Sequence, residues 1–394
     1  MRAVPGLAGR WWPEPVDEEL LRVAVGPAPG VTDAWKRARR SFVLDHATGP
    51  QLELAPLVWR RLTDAGVEDP DLPRLKGIHR RTWYLNQQRR DELARLVAAF
   101  AAERIPMLVL KGAALAPLYY RDVGLRPMGD IDLLVPRSQW DRTLGFLARH
   151  GWHRRLHPSA DVFGLGQAEP LDHPTGSVLD LHWLVGWEFR LRDDPDRSTE
   201  PFWAAAIAFD PVAGAPAPAW TLCAADHLLH LCAHATRASG VAMLRGLADA
   251  ATLISTTTPT GALDWDRLAA QARRYHLTRT VYEVLTYLDR ALQAGVPQST
   301  RQALAACPVG FRDRLVFRAR ANPEGWEPLV GGASRTLTAY LVMTAGLPAS
   351  KALRMLPEWL RVMAGLDHTW QVPVQAARFA RRRLARRAGA RATT

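Results

Sequence analysis

The sequence predicts an α+β protein in which a short mixed segment, residues 104–190, sits between long helical stretches. Two observations carry this. Apolar residues recur every three or four positions through 75–102 and again beyond 222, the period of an amphipathic helix. Between these stretches the pattern changes to short apolar runs and to alternation of acid and aliphatic residues, the period of a strand.

The elements follow in order. Residues 16–103 read as helical, with LVWRRL (57–62) and the longest helix, Leu75 to Ala102. That helix ends near Ile105-Pro106, because a residue before proline is pushed out of the helical region. MLVL at 107–110 has strand length, and Lys111-Gly112 ends it. AALAPLYY is a short helix limited or kinked by Pro117. DIDLLV at 130–135 alternates acid and aliphatic and reads as a strand with one polar face. Pro136 and Ser138 open a helix through Ala148, with Ser138 as its N-cap. Gly151-Trp152 begins another extended region, and SVLDLHWLV at 177–185 is a further strand. DPVAGAPAPAW (210–220) has the composition of a linker or long loop. Helices are expected over 222–255, 264–295, 300–320 and 334–390, the last broken at Pro348, Pro357 and Pro373. Four parts result: a helical region 1–103, a mixed core 104–200, a helical domain 201–320 closing a cleft, and a helical region 321–394 with an arginine-rich tail.

The composition bounds the function. At 394 residues, 48% hydrophobic and 23% charged, the chain is long enough for two or three domains and too apolar to be disordered. Cys223, Cys232 and Cys307 form no disulfide framework or CxxC pair, and a reducing cytoplasm is expected. The opening MRAVPGLAGRWWPEP has no continuous apolar run, so no signal peptide is expected. The longest charge-free windows, 211–225 and 336–350, are shorter than the roughly 20 residues of a spanning helix. The formal charge of +12 is almost all arginine, the lysines being Lys36, Lys76, Lys111 and Lys351. Seven of those charges lie in residues 378–394, leaving +5 for residues 1–377. The core is thus only mildly basic. The tail RFARRRLARRAGAR (378–391) reads either as a solvated terminal helix or as a tether to RNA, an acidic partner or an anionic membrane surface.

The chemistry is concentrated in residues 108–135. On a strand, side chains two apart share a face about 6.5 Å apart. Asp130 and Asp132 therefore point the same way, while Ile131 and Leu133 face the core. Two adjacent carboxylates repel each other unless a cation lies between them. Mg²⁺ suits hard oxygen ligands and substrate phosphates. Asp180, between Leu179 and Leu181, repeats the arrangement and could complete a three-carboxylate site for two ions about 3.5–4 Å apart. Gly112 allows close backbone approach to a phosphate at a helix start, where N–H groups favour an anion. Lys111 adds a point charge and Arg126 a guanidinium fork.

The run KG, a basic residue, GDIDLLV and DLHW resembles the uncharacterised nucleotidyltransferase family of the DNA polymerase β-like superfamily, with KG standing where better-known members carry a glycine-serine turn. The resemblance spans roughly 35–300, is sharpest at 106–136 and 177–183, and continues in DHLLHLCAHA and LRGLADAATLI. It implies a polymerase-β-like core with a small mixed sheet. It also implies Mg²⁺- or Mn²⁺-dependent transfer of a nucleoside monophosphate from an NTP. Under it, Asp130 and Asp132 hold the ions and triphosphate, Asp180 is the third metal-binding carboxylate near the attacking hydroxyl, and Lys111, Gly112, Arg126 and Gly129 form the phosphate site. The acceptor is expected to be a small molecule or peptide, in the setting of natural-product or peptide biosynthesis that such proteins suggest. A nucleic-acid end is the less favoured acceptor, since no RNA-binding module is evident. The rival reading is a non-catalytic nucleotide-binding or assembly protein on the same fold.

Other residues carry two readings each. His182 shares the Asp180 face and either orients that carboxylate, touches the acceptor, or is a satisfied strand histidine. Asp249 either reaches the site or pairs with Arg245 at i,i+4. His227, His230 and His234 share a helix face; with Cys223 or Asp226 they could be drawn as a zinc site, but buried, hydrogen-bonded histidines beside the cleft are favoured. His173 is a minor loop candidate, and most of the fifteen tryptophans are expected to anchor the core.

Overall fold

The computed structural model describes residues 12–155, 167–191, 196–212, 217–236 and 240–310, then 314, 317, 340, 341, 344, 347–364 and 366–378. Helices α1 (Pro15–Val25), α2 (Val31–Ala38), α3 (Gly49–Asp64) and α4 (Leu72–Ala102) lead into strand β1 (Leu108–Leu110) and helix α5 (Lys111–Tyr119). Strand β2 (Ile131–Leu134), helix α6 (Trp140–Arg149) and strands β3 (His153–Arg154), β4 (Ala168–Asp172) and β5 (Val178–His182) follow. Helix α7 (Glu200–Ala204) and strands β6 (Ile207–Phe209) and β7 (Ala219–Thr221) complete the α+β part. Then come α8 (Ala224–Ala235), α9 (Gly240–Thr257), α10 (Trp265–Arg274), α11 (Thr278–Leu292), α12 (Gln298–Ala305) and α13 (Ala349–Met363).

The seven strands form one mixed sheet in the order β3-β4-β5-β2-β1-β7-β6. β2 lies antiparallel to β1, which runs into Lys111, and parallel to β5, which carries Asp180 and His182. The strand period divides the core in two. Val109, Leu133, Leu179 and Leu181 pack under Leu93 and Phe100 of α4 and Phe146 of α6. Leu108, Leu110 and Leu134 face a second core containing Leu20 and Leu54 from the first helices and Leu228, Leu247 and Leu285 from the later ones. The helices before and after the sheet therefore share one core.

This second core changes the meaning of the acidic alternation. The polar side of β2 is not a solvated face: Asp132 is only 1% exposed. Two other local expectations also change. The proline-rich stretch 210–220 bridges a hairpin, with β6 antiparallel to β7 and β7 parallel to β1, so its end belongs to the sheet. Ser138 lies in a 3-10 turn, Arg137–Gln139, and Gln139 holds the N-cap position of α6. The arginine tail beyond Arg378, and most of the helix expected at 300–320 after residue 310, lie outside the described residues. Among the described residues, no helix is long and apolar enough to cross a membrane.

The segment 120–129, which carries the site's loop into β2, is held from below by α4. The fully buried Asn86 donates from Nδ2 to the carbonyls of Val123 (2.6 Å) and Arg126 (2.8 Å). Asn86→Ala leaves both carbonyls short of a donor and is expected to destabilise the chain by about 1–3 kcal/mol, read by urea unfolding.

Candidate active site

Parallel pairing of β2 and β5 places Asp132 directly beside Asp180, and His182 lies two residues further along the same face. A ligand atom from each of Asp132, Asp180 and His182 lies within 4.8 Å of the others. Among the described residues, this is the one cluster of three or more such groups close enough to share a metal ion. Asp130 stands just ahead of β2.

Burial pushes the Asp132 carboxyl up, but the Lys111 ammonium and the His182 ring outweigh it and hold the group well below the usual carboxylate range. Lys111 Nζ contacts Asp132 Oδ1, and His182 Nε2 lies 2.9 Å from the same oxygen. His182 Nδ1–H donates to the Leu184 carbonyl at 3.1 Å, which fixes the ring against the carboxylate. Thus His182 is tied to Asp132 rather than to Asp180. Asp130 and Asp180 differ: neither side chain makes a hydrogen bond or ion pair with another described residue. Asp130 is pushed up chiefly by the charge of Asp132 and then by burial. For Asp180, burial comes first and Asp132 second.

Arg126 and Asp249 form the second constellation. Arg126 Nε and Nη2 each donate to one oxygen of Asp249 at 2.8 Å, and Tyr120 Oη donates to Asp249 Oδ1 at 2.6 Å. Both partners are buried, at 5% and 2% exposure. The fork expected to meet phosphate oxygens is instead taken by Asp249. Arg245, the i,i+4 candidate for Asp249, reaches Glu53 at 3.2 Å. Gly112 has a steric reason that the sequence does not show: a Cβ there would come within 2.4 Å of Arg126 Nη1. At Gly129 a Cβ would meet nothing within 4 Å; its carbonyl accepts from Arg89.

Between these groups lies a small cleft. Lys111, Gly112, Asp130 and Asp132 line one wall; His227, His230 and His234 from α8, with Arg245 and Asp249 from α9, line the other. The histidines face the cleft but are not gathered as metal ligands with Asp226, which pairs with Arg267 at 2.7 Å. His227 stays neutral, pushed down to about 3 by burial and then by Arg126. The Thr221 hydroxyl donates to the Val109 carbonyl at 2.6 Å, so it accepts from His227 Nε2–H at 3.1 Å. Sequence reasoning missed Tyr120 and Arg89. Both act across long sequence separations, and no local pattern marks either.

Two outcomes test this electrostatic reading. Asp249→Ala strands a buried guanidinium and is expected to cost about 3–5 kcal/mol in urea unfolding. The raised carboxyl of Asp180 is harder to ionise in the folded chain than in the unfolded one, so stability is lost as pH rises from the ordinary range through the raised value. Asp180→Asn removes that loss. In chelator, it is expected to melt above the wild type at pH 7 and to converge with it as pH falls towards about 3.9.

The sequence pattern of a family described as "Uncharacterised nucleotidyltransferase" matches residues 50–293, from the first turn of α3 to the end of α11. No curated protein matches the chain closely enough to count as a relative. The matched stretch contains every residue of the cleft described above. The chain belongs to this uncharacterised nucleotidyltransferase family and is an enzyme of the nucleotidyltransferase class.

Proposed function

We propose that the enzyme moves a nucleoside monophosphate from an NTP to a hydroxyl of a small-molecule or peptide acceptor, with Mg²⁺ or Mn²⁺ as the cofactor. The observation that supports this best is the buried Asp132, in register with Asp180, in contact with Lys111 and held well below the usual carboxylate range. The donor chemistry fits a hard divalent cation: a carboxylate oxygen of Asp132 and one of Asp180 lie within 4.8 Å of each other and of a His182 ring nitrogen. Asp130, Asp132 and Asp180 would hold it. When bound, the cation neutralises charge on the phosphoryl oxygens and the leaving pyrophosphate.

The chain's own residues do the rest. His182 and Lys111 keep Asp132 ionised and oriented. Asp180, with its carboxyl pushed up, is suited to take the proton of the acceptor hydroxyl. That oxygen bonds to the α-phosphorus as the bond to the β-phosphate oxygen breaks, and pyrophosphate departs. Lys111, beside Gly112 at the start of α5, meets the phosphates; Arg126 braces the wall through Asp249 instead of gripping them.

Incubation with α-labelled NTPs, Mg²⁺ or Mn²⁺ and a panel of hydroxyl acceptors tests the reading. Label is expected to pass to a small molecule or peptide with release of pyrophosphate. Asp132→Asn is expected to lower the rate about a thousandfold, the equivalent of about 4 kcal/mol of charge stabilisation. Equal labelling by both proteins overturns the assignment of Asp132. Labelling confined to RNA ends overturns the acceptor class. Nucleotide binding without turnover over the whole panel points to the assembly protein.

A further inference from the structure

Lys111 occupies an unusual place. Among the described residues, four other than glycine have positive φ: Arg104, Lys111, His276 and Gln293. Arg104, His276 and Gln293 follow the ends of α4, α10 and α11, where a left-handed residue is ordinary. Lys111 instead stands between a strand and a helix, at φ 45°, a conformation that costs a side-chain-bearing residue roughly 1–2 kcal/mol. Glycine would relieve that cost, so the strain is tolerated for the side chain. The side chain ends on Asp132 Oδ1.

The other cations of the cleft have acids of their own. Arg126 is forked onto Asp249, and Arg245 reaches Glu53. Lys111 is thus the cation in the cleft whose charge rests on Asp132, a member of the cluster that could hold a metal ion. A divalent ion at Asp132 and an ammonium on the same carboxylate repel each other. A triphosphate entering the cleft reverses the balance by giving the ammonium phosphate oxygens as a new partner.

We propose that Lys111 couples the two ligands: it competes with the metal for Asp132 in the nucleotide-free enzyme and moves to the triphosphate when nucleotide binds. This rests on the nucleotidyltransferase reading above. By linkage, nucleotide and metal each tighten the binding of the other by the same factor. In this scheme Lys111 is the cation that offsets the charge of Asp132 until the ligands arrive and then contacts the triphosphate.

The test uses Mn²⁺ alone as the probe, followed by electron paramagnetic resonance at pH 8 on the full chain. Lys111→Met is expected to bind Mn²⁺ about five- to tenfold more tightly than the wild type without nucleotide, while Lys111→Arg, which keeps the charge, stays near wild type. In chelator, Lys111→Met is expected to bind a non-hydrolysable NTP analogue about tenfold more weakly. Mn²⁺ affinity unchanged or weakened in Lys111→Met overturns the proposal, as does a wild-type affinity for Mn²⁺ that the analogue leaves unaltered. Lys111→Gln carries the same comparison if the methionine variant does not fold. Failure of the broader reading looks different: the wild type then binds neither Mn²⁺ nor nucleotide, and both proposals fall together.

Discussion

The fold around the cleft depends on one buried ion pair, Arg126 with Asp249. It joins the segment leading into β2 to helix α9, two parts of the chain 123 residues apart. A pair removed from water loses several kcal/mol of hydration per ion, so its worth lies in specificity more than in net stability. The bidentate geometry accepts one orientation of α9 against the sheet. Tyr120 shares the same carboxylate, Asn86 holds the carbonyl of Arg126 from the opposite side, and Gly112 leaves the room that the guanidinium needs. Asp130 and β2 come directly after the segment fixed in this way.

Against that rigid wall, the acids are left in tension. Asp132 is buried and stays ionised because Lys111 and His182 outweigh its desolvation. Asp130 and Asp180 have no such partners and repel the charge beside them. A fold selected for stability alone would place neutral groups there. Retained repulsion of this kind is compatible with a metal site, and it argues from the residues themselves rather than from the fold, which can host unrelated chemistries.

The strands and helices with strong local periods were readable in the sequence. β1, β2 and β5 stand out as short aliphatic runs, and α4 as a continuous helical period. Lys111, Asp130, Asp132 and Asp180 were likewise identifiable, since each sits in or beside such a run. What escaped was non-local. The edge pair β6–β7 is hidden because two three-residue strands flank a proline-rich loop, which composition reads as linker. The burial of Asp132 is hidden because an acid alternating with aliphatic residues looks solvated until the fold brings Lys111 and His182 onto it. The partner of Arg126, the contact of Tyr120 with Asp249 and the tie of Arg245 to Glu53 need the tertiary fold, since no spacing rule links residues more than a hundred positions apart.

The arginine excess takes on a different meaning in this light. Much of it is matched acid by acid within the fold: Arg37 with Glu19, Arg39 with Asp71, Arg154 with Glu169, Arg267 with Asp226. The candidate cleft follows the same rule, because Arg126 and Arg245 are already paired and Lys111 is set against Asp132. Its walls therefore offer little uncompensated positive charge, and Asp130 and Asp180 add negative charge of their own. A triphosphate brought into such a cleft meets repulsion unless cations come with it. Net charge alone would predict a site that attracts polyphosphates directly; the pairing of charges predicts one that binds a polyphosphate more tightly as its metal complex.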